Sequence, residues 1–474
     1  MVFQTVAIGE QPIKETLPVG FLATIFTINM LALLNFSSVF VAMIKIGKAL
    51  DTPEILILQL PTSLFAAIAC AAPMTPYLLH RLGARRLLTF AVIGLCVTTV
   101  LASLCQTFWQ LIVVLFIHGL FCAPLSPATQ AAVKETHNDR DLGVGMAVWG
   151  AGNYAGGLIG PLLAGVMITV FGWRSLFLIP LPFVLLVIPL ILFVIKTKPD
   201  KTARPDAVSM MIAPIAMLLL VGTASLGPSL SWFASPLVMV SSLCLAFAVP
   251  LCVWSYRRHG SPSFHLGCLR NRDTWLSLLI VFVFNMVSTG LFQVEYLEKD
   301  AAIAPETIGL RSSIAAATLL VGFTIAGWCC KQGHYALSLL AGLGLTFIAK
   351  VGFLLYSSDS GALAAIWPVV FSGLSFGMVI GVTAVLAYRA ISETHVPHVA
   401  TGFILATYLG ASLGAGLLNE VLLVFDAYFI QEEVAAQAAI LRAFKSEFVV
   451  ELVISALIIW PAFLLVRKPR KLLV

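Results

Sequence analysis

Ionisable side chains are scarce in the long apolar stretches of this 474-residue sequence, and those that occur there are where chemistry would be done: His118, Lys350 and Glu420, with Glu295 at a helix end. An ionisable group inside a bilayer is expensive and is a functional candidate by default. An imidazole with an ordinary pKa of about 6.5 can exchange a proton in the physiological range. His118, Glu420 and Glu295 are therefore the proton-coupling candidates. For each a plainer reading stands beside it. His118 is also readable as a hydrogen-bonded packing residue, Glu420 as a helix-end residue reaching water, and Glu295 as a solvated rim residue. Lys350 reads as a side chain that snorkels outward. The polar residues Asn29, Asn35, Asn153 and Asn285 fall mid-stretch, where an amide can recognise a ligand or bond helix to helix.

Other chemistries find no support. No G-x-x-x-x-G-K-[ST] phosphate loop is present, so ATP hydrolysis is not expected. The nine cysteines have no zinc-ligand spacing, and Cys329 and Cys330 lie in an apolar run as small buried hydrophobes. His395 and His398 stand near Glu393, but Pro397 between them disfavours a regular helical metal site, leaving a plain loop. No nucleophile, base and metal-ligand constellation is clustered, so the chain reads as neither an enzyme nor a metal or cofactor protein.

The elements that position these residues follow from composition. Hydrophobic residues make up 60% of the chain and charged residues only 11%, with a mean hydropathy of +1.00. Soluble domains carry about 25% charged residues, so the excess apolar surface must face lipid. Spans of about 20 apolar residues fit fourteen stretches: 18–44, 56–79, 87–106, 109–132, 142–170, 175–195, 209–227, 233–256, 274–297, 307–330, 335–357, 363–388, 399–425 and 447–467. The runs are too long, and too little alternating, for barrel strands. With the N-terminus inside, the inner segments hold 20 Lys and Arg and the outer ones 7, which places both termini in the cytoplasm. The net charge of +6 is spread over these turns rather than gathered into a nucleic-acid surface. The two acids in the first sixteen residues argue against a cleaved signal peptide.

These spans divide the chain into a cytoplasmic segment (1–17), a six-helix bundle (18–195), a basic linker (196–208), two additional helices (209–256), a cytoplasmic loop (257–273), a second six-helix bundle (274–467) and a tail (468–474). Within the second bundle, the polar segment 426–446 lies outside. Val434, Ala438, Leu441 and Phe444 recur there at helical spacing, as in an amphipathic external helix. An echo links the halves. Arg81-Leu82-Gly83, followed by Arg85 and Arg86, and Lys331-Gln332-Gly333 each put a basic residue and a glycine in a tight turn between two helices.

The fifth span carries Gly156-Gly-Leu-Ile-Gly160-Pro161-Leu-Leu-Ala-Gly165 and then Trp173-Arg174-Ser-Leu-Phe177. This resembles the g-x-x-x-G-P-x-x-G-G antiporter motif of the major facilitator superfamily and the W-R-x-x-F that follows it. With fourteen spans, the chain is similar to the fourteen-helix drug:proton antiporters of that superfamily, as a divergent member. The resemblance implies two bundles rocking about a central cavity, with Gly156, Gly160, Pro161, Gly165, Arg81, Gly83, Arg85 and Arg86 as conformational motifs. It also implies a cavity lined by Asn35, Phe36, His118, Phe121, Asn153, Tyr154, Phe282, Asn285, Phe376 and Tyr408. Where the family carries charges this chain has Asn35, His80, Leu115 and Thr407 instead.

Cationic drugs need carboxylates to offset their desolvation, and the first six spans hold none at depth. A neutral, zwitterionic or anionic amphipathic substrate is expected: a drug, a metabolite or a siderophore-like compound. The resulting expectation is an alternating-access, proton-coupled exporter in the bacterial inner membrane, monomeric, with lipid, a small molecule and protons as its partners and without nucleic acid. An importer or proton symporter of the same fold, and a non-transporting sensor on a transporter scaffold, remain as alternatives.

Overall fold

Apolar runs of this length leave backbone polar groups no partner but one another, so helices form. The computed structural model describes residues 19–52, 57, 59–136, 142–195, 207–227, 232–259, 271–288, 305–355, 366–389, 391, 395–431 and 436–466. Among these residues every regular element is helical. Ten helical stretches among them are long and apolar enough to cross a membrane by length and composition.

The first bundle contains α1 (Val19–Ala49), α2 (Gln59–Ala71), α3 (Thr75–Leu104), α4 (Phe108–Cys122), α5 (Leu125–Thr136), α6 (Leu142–Phe171) and α7 (Leu181–Val194). The second contains α10 (Arg272–Val287), α11 (Pro305–Lys331), α12 (Tyr335–Leu355), α13 (Ile366–Ala387), α14 (Val396–Gln431) and α15 (Ala436–Val466). Between them in sequence lie α8 (Ala207–Leu226) and α9 (Pro236–His259). α8 packs on α2 and α14, one helix from each bundle, and α9 packs on α8 with most of its surface exposed.

Local chemistry sets the breaks. Gly83 has φ +74° and divides α3 into two helical pieces, so the second predicted run ends inside the first piece. Gly333 has φ +76° in the α11–α12 turn. Both turns of the echo thus need a left-handed residue, which glycine supplies without a Cβ clash. The fourth run is two helices, α4 and α5, parted at Ala123-Pro124. At the start of α4 a capping box joins Thr107 and Gln110, each side chain accepting from the other's backbone N–H.

Among the described residues, segment 426–446 forms no separate external helix. α14 continues unbroken to Gln431 and α15 begins at Ala436, so the segment supplies the ends of those two helices. The physical reason is burial: Ala443 and Phe444 extend the face of α15 that packs with Phe448, Phe353, Leu418 and Leu422. Val434 lies outside the described residues.

Candidate functional site

Glycines set how closely the helices of each bundle approach. On α6, Gly152, Gly156 and Gly160 recur every four residues and face Phe26, Met30 and Leu34, which recur at the same interval on α1. A Cβ at Gly156 would overlap the Met30 carbonyl oxygen, so no other residue fits without moving a helix. The approach lets Ser37 Oγ donate to Gly156 O at 3.1 Å. Pro161 follows inside the helix and removes one backbone donor, a place for a bend. The second bundle repeats the device: Gly410 and Gly414 of α14 face the carbonyls of Phe282 and Met286 of α10. The antiporter-like glycines are therefore contact residues of the α1–α6 seam. Arg174, from the motif's ending, donates to Cys105 O at 3.0 Å and lies over the Trp173 ring, tying the turn before α7 to the end of α3.

The bundles meet across aromatic rings. Tyr154 of α6 stacks on Phe323 of α11, with centroids 4.9 Å apart, and meets Phe376 of α13 edge-on at 5.5 Å. Phe284 of α10 adds a fourth ring 5.5 Å from Phe376. On the other side Tyr408 of α14 approaches Phe65 of α2 at 5.5 Å. A cavity of about 10 Å³, room for the centre of one water molecule, lies between Tyr408, Phe65 and His118. At the end of the molecule that carries the Gly83 and Gly333 turns, the bundles are latched. The buried Tyr388 hydroxyl donates to Gln130 Oε1 at 2.6 Å, Trp149 meets Phe403 at 6.1 Å, and the His80 and His398 rings lie 5.9 Å apart.

The sequence-predicted residues distribute unevenly over this arrangement. Tyr154, Phe376 and Tyr408 belong to the inter-bundle group, and His118 borders it while its Nδ1 shares a 2.8 Å hydrogen bond with Thr98 Oγ1. Asn153 is half-buried, one turn along α6 from Trp149. Asn285 is buried and donates to Val281 O of its own helix at 2.8 Å. Phe121 does not join the group. It packs against Gly94 and Phe90 on α3, because α4 is apolar on every side and the sequence does not mark which face turns inward. Phe282 is half-buried, with its carbonyl against Gly410. Asn29 bonds helix to helix, its Nδ2 donating to Thr129 Oγ1 of α5 at 3.0 Å. The side chains of Asn35 and Phe36, and all of Glu295, lie outside the described residues. Gly165 lies on α6. Arg81, Arg85 and Arg86 are exposed around the Gly83 turn. Glu420 is half-buried, one turn beyond Gly416, which abuts the Ala224 backbone of α8. That spacing puts it on the α8 side of α14.

Lys350 overturns its expectation. It does not snorkel: it is buried and ion-paired with Glu451 of α15. Glu451, and Glu447 one turn before it, are the functional-type residues that sequence reasoning missed. A signal was present, since an opposite charge within another apolar run is what a buried lysine requires. Both acids sit near the start of the last run, where they pass for span-end residues.

The sequence profile of the Major Facilitator Superfamily matches residues 25–415 of the chain. A multidrug resistance protein B homolog of Mycobacterium tuberculosis is 23% identical over 443 residues, an alignment covering 91% of this chain and 81% of that protein. A probable multidrug resistance protein, EmrY, of Escherichia coli is 25% identical over 227 residues, covering 46% of this chain and 43% of its own length. Among solved structures, the human organic anion transporter MFSD10 superposes with a TM-score of 0.64 at 16% identity, over 96% of this chain and 100% of that one.

Proposed function

The chain belongs to the Major Facilitator Superfamily, and from that premise we propose that it is a proton-coupled exporter of amphipathic organic molecules that are neutral, zwitterionic or anionic. It is a multi-pass membrane transporter and not an enzyme. The observation that carries the reading is the interface between the bundles. Two glycine-seamed bundles meet across the Tyr154–Phe323–Phe376–Phe284 rings and are latched at one end by Gln130–Tyr388, Trp149–Phe403 and His80–His398. Bundles joined through side chains at one end can rock about the aromatic group, exposing it to one side and then the other. Export is favoured by the Gly156–Pro161 motif and by the multidrug resistance proteins among the relatives.

In this reading the chain crosses the bacterial cytoplasmic membrane fourteen times with both termini inside. The latched end, with exposed Arg81, Arg85 and Arg86, is then cytoplasmic, following the positive-inside rule. The substrate class follows from the rings. They offer apolar, π-rich surface, and among the described residues the buried acids are Glu447 and Glu451 of α15, neither of them in the ring group. A cation would enter without a counter-charge.

Inverted membrane vesicles with an acid interior test the proposal, using Nile red as a neutral probe, carboxyfluorescein as an anion and tetraphenylphosphonium as a cation. Gradient-dependent accumulation of the neutral or anionic probe is expected. Accumulation of the cation alone overturns the substrate class. Accumulation only when the gradient is reversed, with the acid side outside, overturns antiport in favour of proton symport.

A further inference from the structure

The second bundle holds a charged group that the export reading leaves unused. Lys350 of α12 and Glu451 of α15 form an ion pair whose side chains are each only 3% exposed. Lys350 Nζ also donates to Val287 O at 2.9 Å, and Val287 is the last residue of α10. Phe353 and Phe448, stacked at 5.5 Å, wall the pair, with the ammonium 5.8 Å from the Phe448 ring centre. One ammonium thus holds three helices together inside an otherwise apolar bundle.

Such a pair is a poor device for stability alone, since apolar residues of similar volume hold a core at least as well. Its position suits a switch. Lys350 lies five residues before the end of α12, about 8 Å of helix, and its second partner, Val287, ends α10. α10 also carries Phe284, a member of the inter-bundle ring group, and packs by backbone contact on Gly410 and Gly414 of α14. A change of charge at the pair therefore reaches the central rings through one helix.

We propose that the Lys350–Glu451 pair is the proton-binding site of the transport cycle, an inference that rests on the proton-coupled reading above. In the ionised pair, Lys350 clasps the end of α10 to α15. Uptake of a proton forms an O–H bond on the Glu451 carboxylate and takes the pair from neutral to a net charge of +1. Lys350 then loses its counter-ion on α15, and the link it makes between α10 and α15 loosens. Release of the proton to water on the other side restores the clasp.

The charged and titratable neighbours are few. On α15, Glu447 lies one turn away and Lys445 and Arg442 lie nearer the helix start; α14 contributes Tyr408, Glu420, Asp426 and Tyr428, with His398 near its start. α10 has only Arg272 and Asp273, at its opposite end, and α13 has none. α12 itself adds Tyr335 at its start, and α11, which touches α12, carries Glu306 and Arg311 near its start and Cys329, Cys330 and Lys331 at its end.

The test reads the proton itself and so needs no substrate. Full-length protein carrying isotope-labelled glutamate is reconstituted in liposomes and followed by infrared difference spectroscopy between about pH 9 and about pH 4, which brackets buried and exposed carboxyls. Wild type is expected to show the carbonyl band of a protonated buried carboxylic acid, and Glu451→Gln to lose one carboxyl equivalent of it. Glu447→Gln is expected to keep that equivalent. Should Glu451→Gln fold poorly because Lys350 is left alone, Lys350→Met/Glu451→Gln removes both charges and must lose the same equivalent. A wild type without the band, or a double variant that retains it in full, overturns the assignment. Absence of gradient-driven transport in the vesicles, with the band present, breaks the export reading and leaves the proton site standing.

Discussion

The two bundles solve the same packing problem and differ in what they bury. In the first, Gly152, Gly156 and Gly160 bring α6 onto α1; in the second, Gly410 and Gly414 bring α14 onto α10. Side-chain hydrogen bonds inside the first bundle include Asn29 with Thr129, Trp149 with Ser126, and the His118 ring with Thr98. The second bundle buries the ion pair of Lys350 and Glu451. Amide and hydroxyl contacts do not change with pH, which leaves the His118 ring as the titratable member of those first-bundle contacts. A bundle held by a charge pair changes when a proton arrives. The pairing frames a division of labour for the proposed cycle, in which the seams let both bundles move as bodies and the second carries the buried ion pair.

The largest expected effect tests the shared half of that comparison. Leucine at Gly156 or at Gly414 places a side chain on a facing backbone carbonyl, Met30 or Met286 respectively. Overpacking ordinarily costs about 1–3 kcal/mol, and here backbone rather than a side chain must yield. Gly156→Leu and Gly414→Leu are each expected to abolish monodisperse folded protein on size-exclusion chromatography. If only one does, the seams are not equivalent.

The second effect tests the difference. Lys350→Met leaves the Glu451 carboxylate buried beside no ammonium, and breaking such a pair costs about 3–5 kcal/mol. Lys350→Met/Glu451→Gln is expected to recover most of that loss in thermal unfolding of the purified protein. In the first bundle, Thr98→Val removes one hydrogen bond to the buried His118 ring, about 1–3 kcal/mol, and has no charge partner to be rescued by. Equal losses in Lys350→Met and in the double variant contradict the pair as the source of the effect.

A smaller effect concerns what joins the bundles. Tyr388→Phe deletes the 2.6 Å hydrogen bond to Gln130, about 1 kcal/mol, enough to shift a two-state equilibrium roughly fivefold. Spin-label distances across the latched end are expected to show a larger open population. An unchanged distribution assigns the latch to Trp149–Phe403 and His80–His398 instead.

The legible parts of this molecule are those where one residue type is required. Gly83 and Gly333 are visible as an echo because a left-handed turn admits little else, and Gly156, Gly160 and Pro161 because a backbone approach and a bend need them. Helices are visible because their runs are apolar. What that same apolarity hides is the direction each helix faces. Phe121 and Tyr154 are equally aromatic in sequence, yet one packs on Gly94 and the other on Phe323. Pairing across distance is hidden for a different reason. Lys350 and Glu451 are 101 residues apart, so a lysine that looks stranded acquires its partner only through the fold. The continuous ends of α14 and α15 were obscured by their polar residues, though Phe444 belongs to a buried face.

The smallest expected effect isolates the reason for a glycine. Gly157 is the next residue to Gly156 and part of the same motif, but it points elsewhere on α6. A Cβ there meets only Leu33 Cδ2, at 3.3 Å, the far end of a flexible side chain. Alanine also favours a helix over glycine by up to about 1 kcal/mol, which offsets the small adjustment of Leu33. Gly157→Ala is therefore expected to change stability by less than about 0.5 kcal/mol, whereas Gly156→Ala, one residue away, forces α1 and α6 apart. If the two alanines lower the unfolding temperature alike, the motif acts through the flexibility of α6. If only Gly156→Ala does, it acts through contact with α1, and the corresponding contact of Gly414 with Met286 becomes its counterpart in the second bundle.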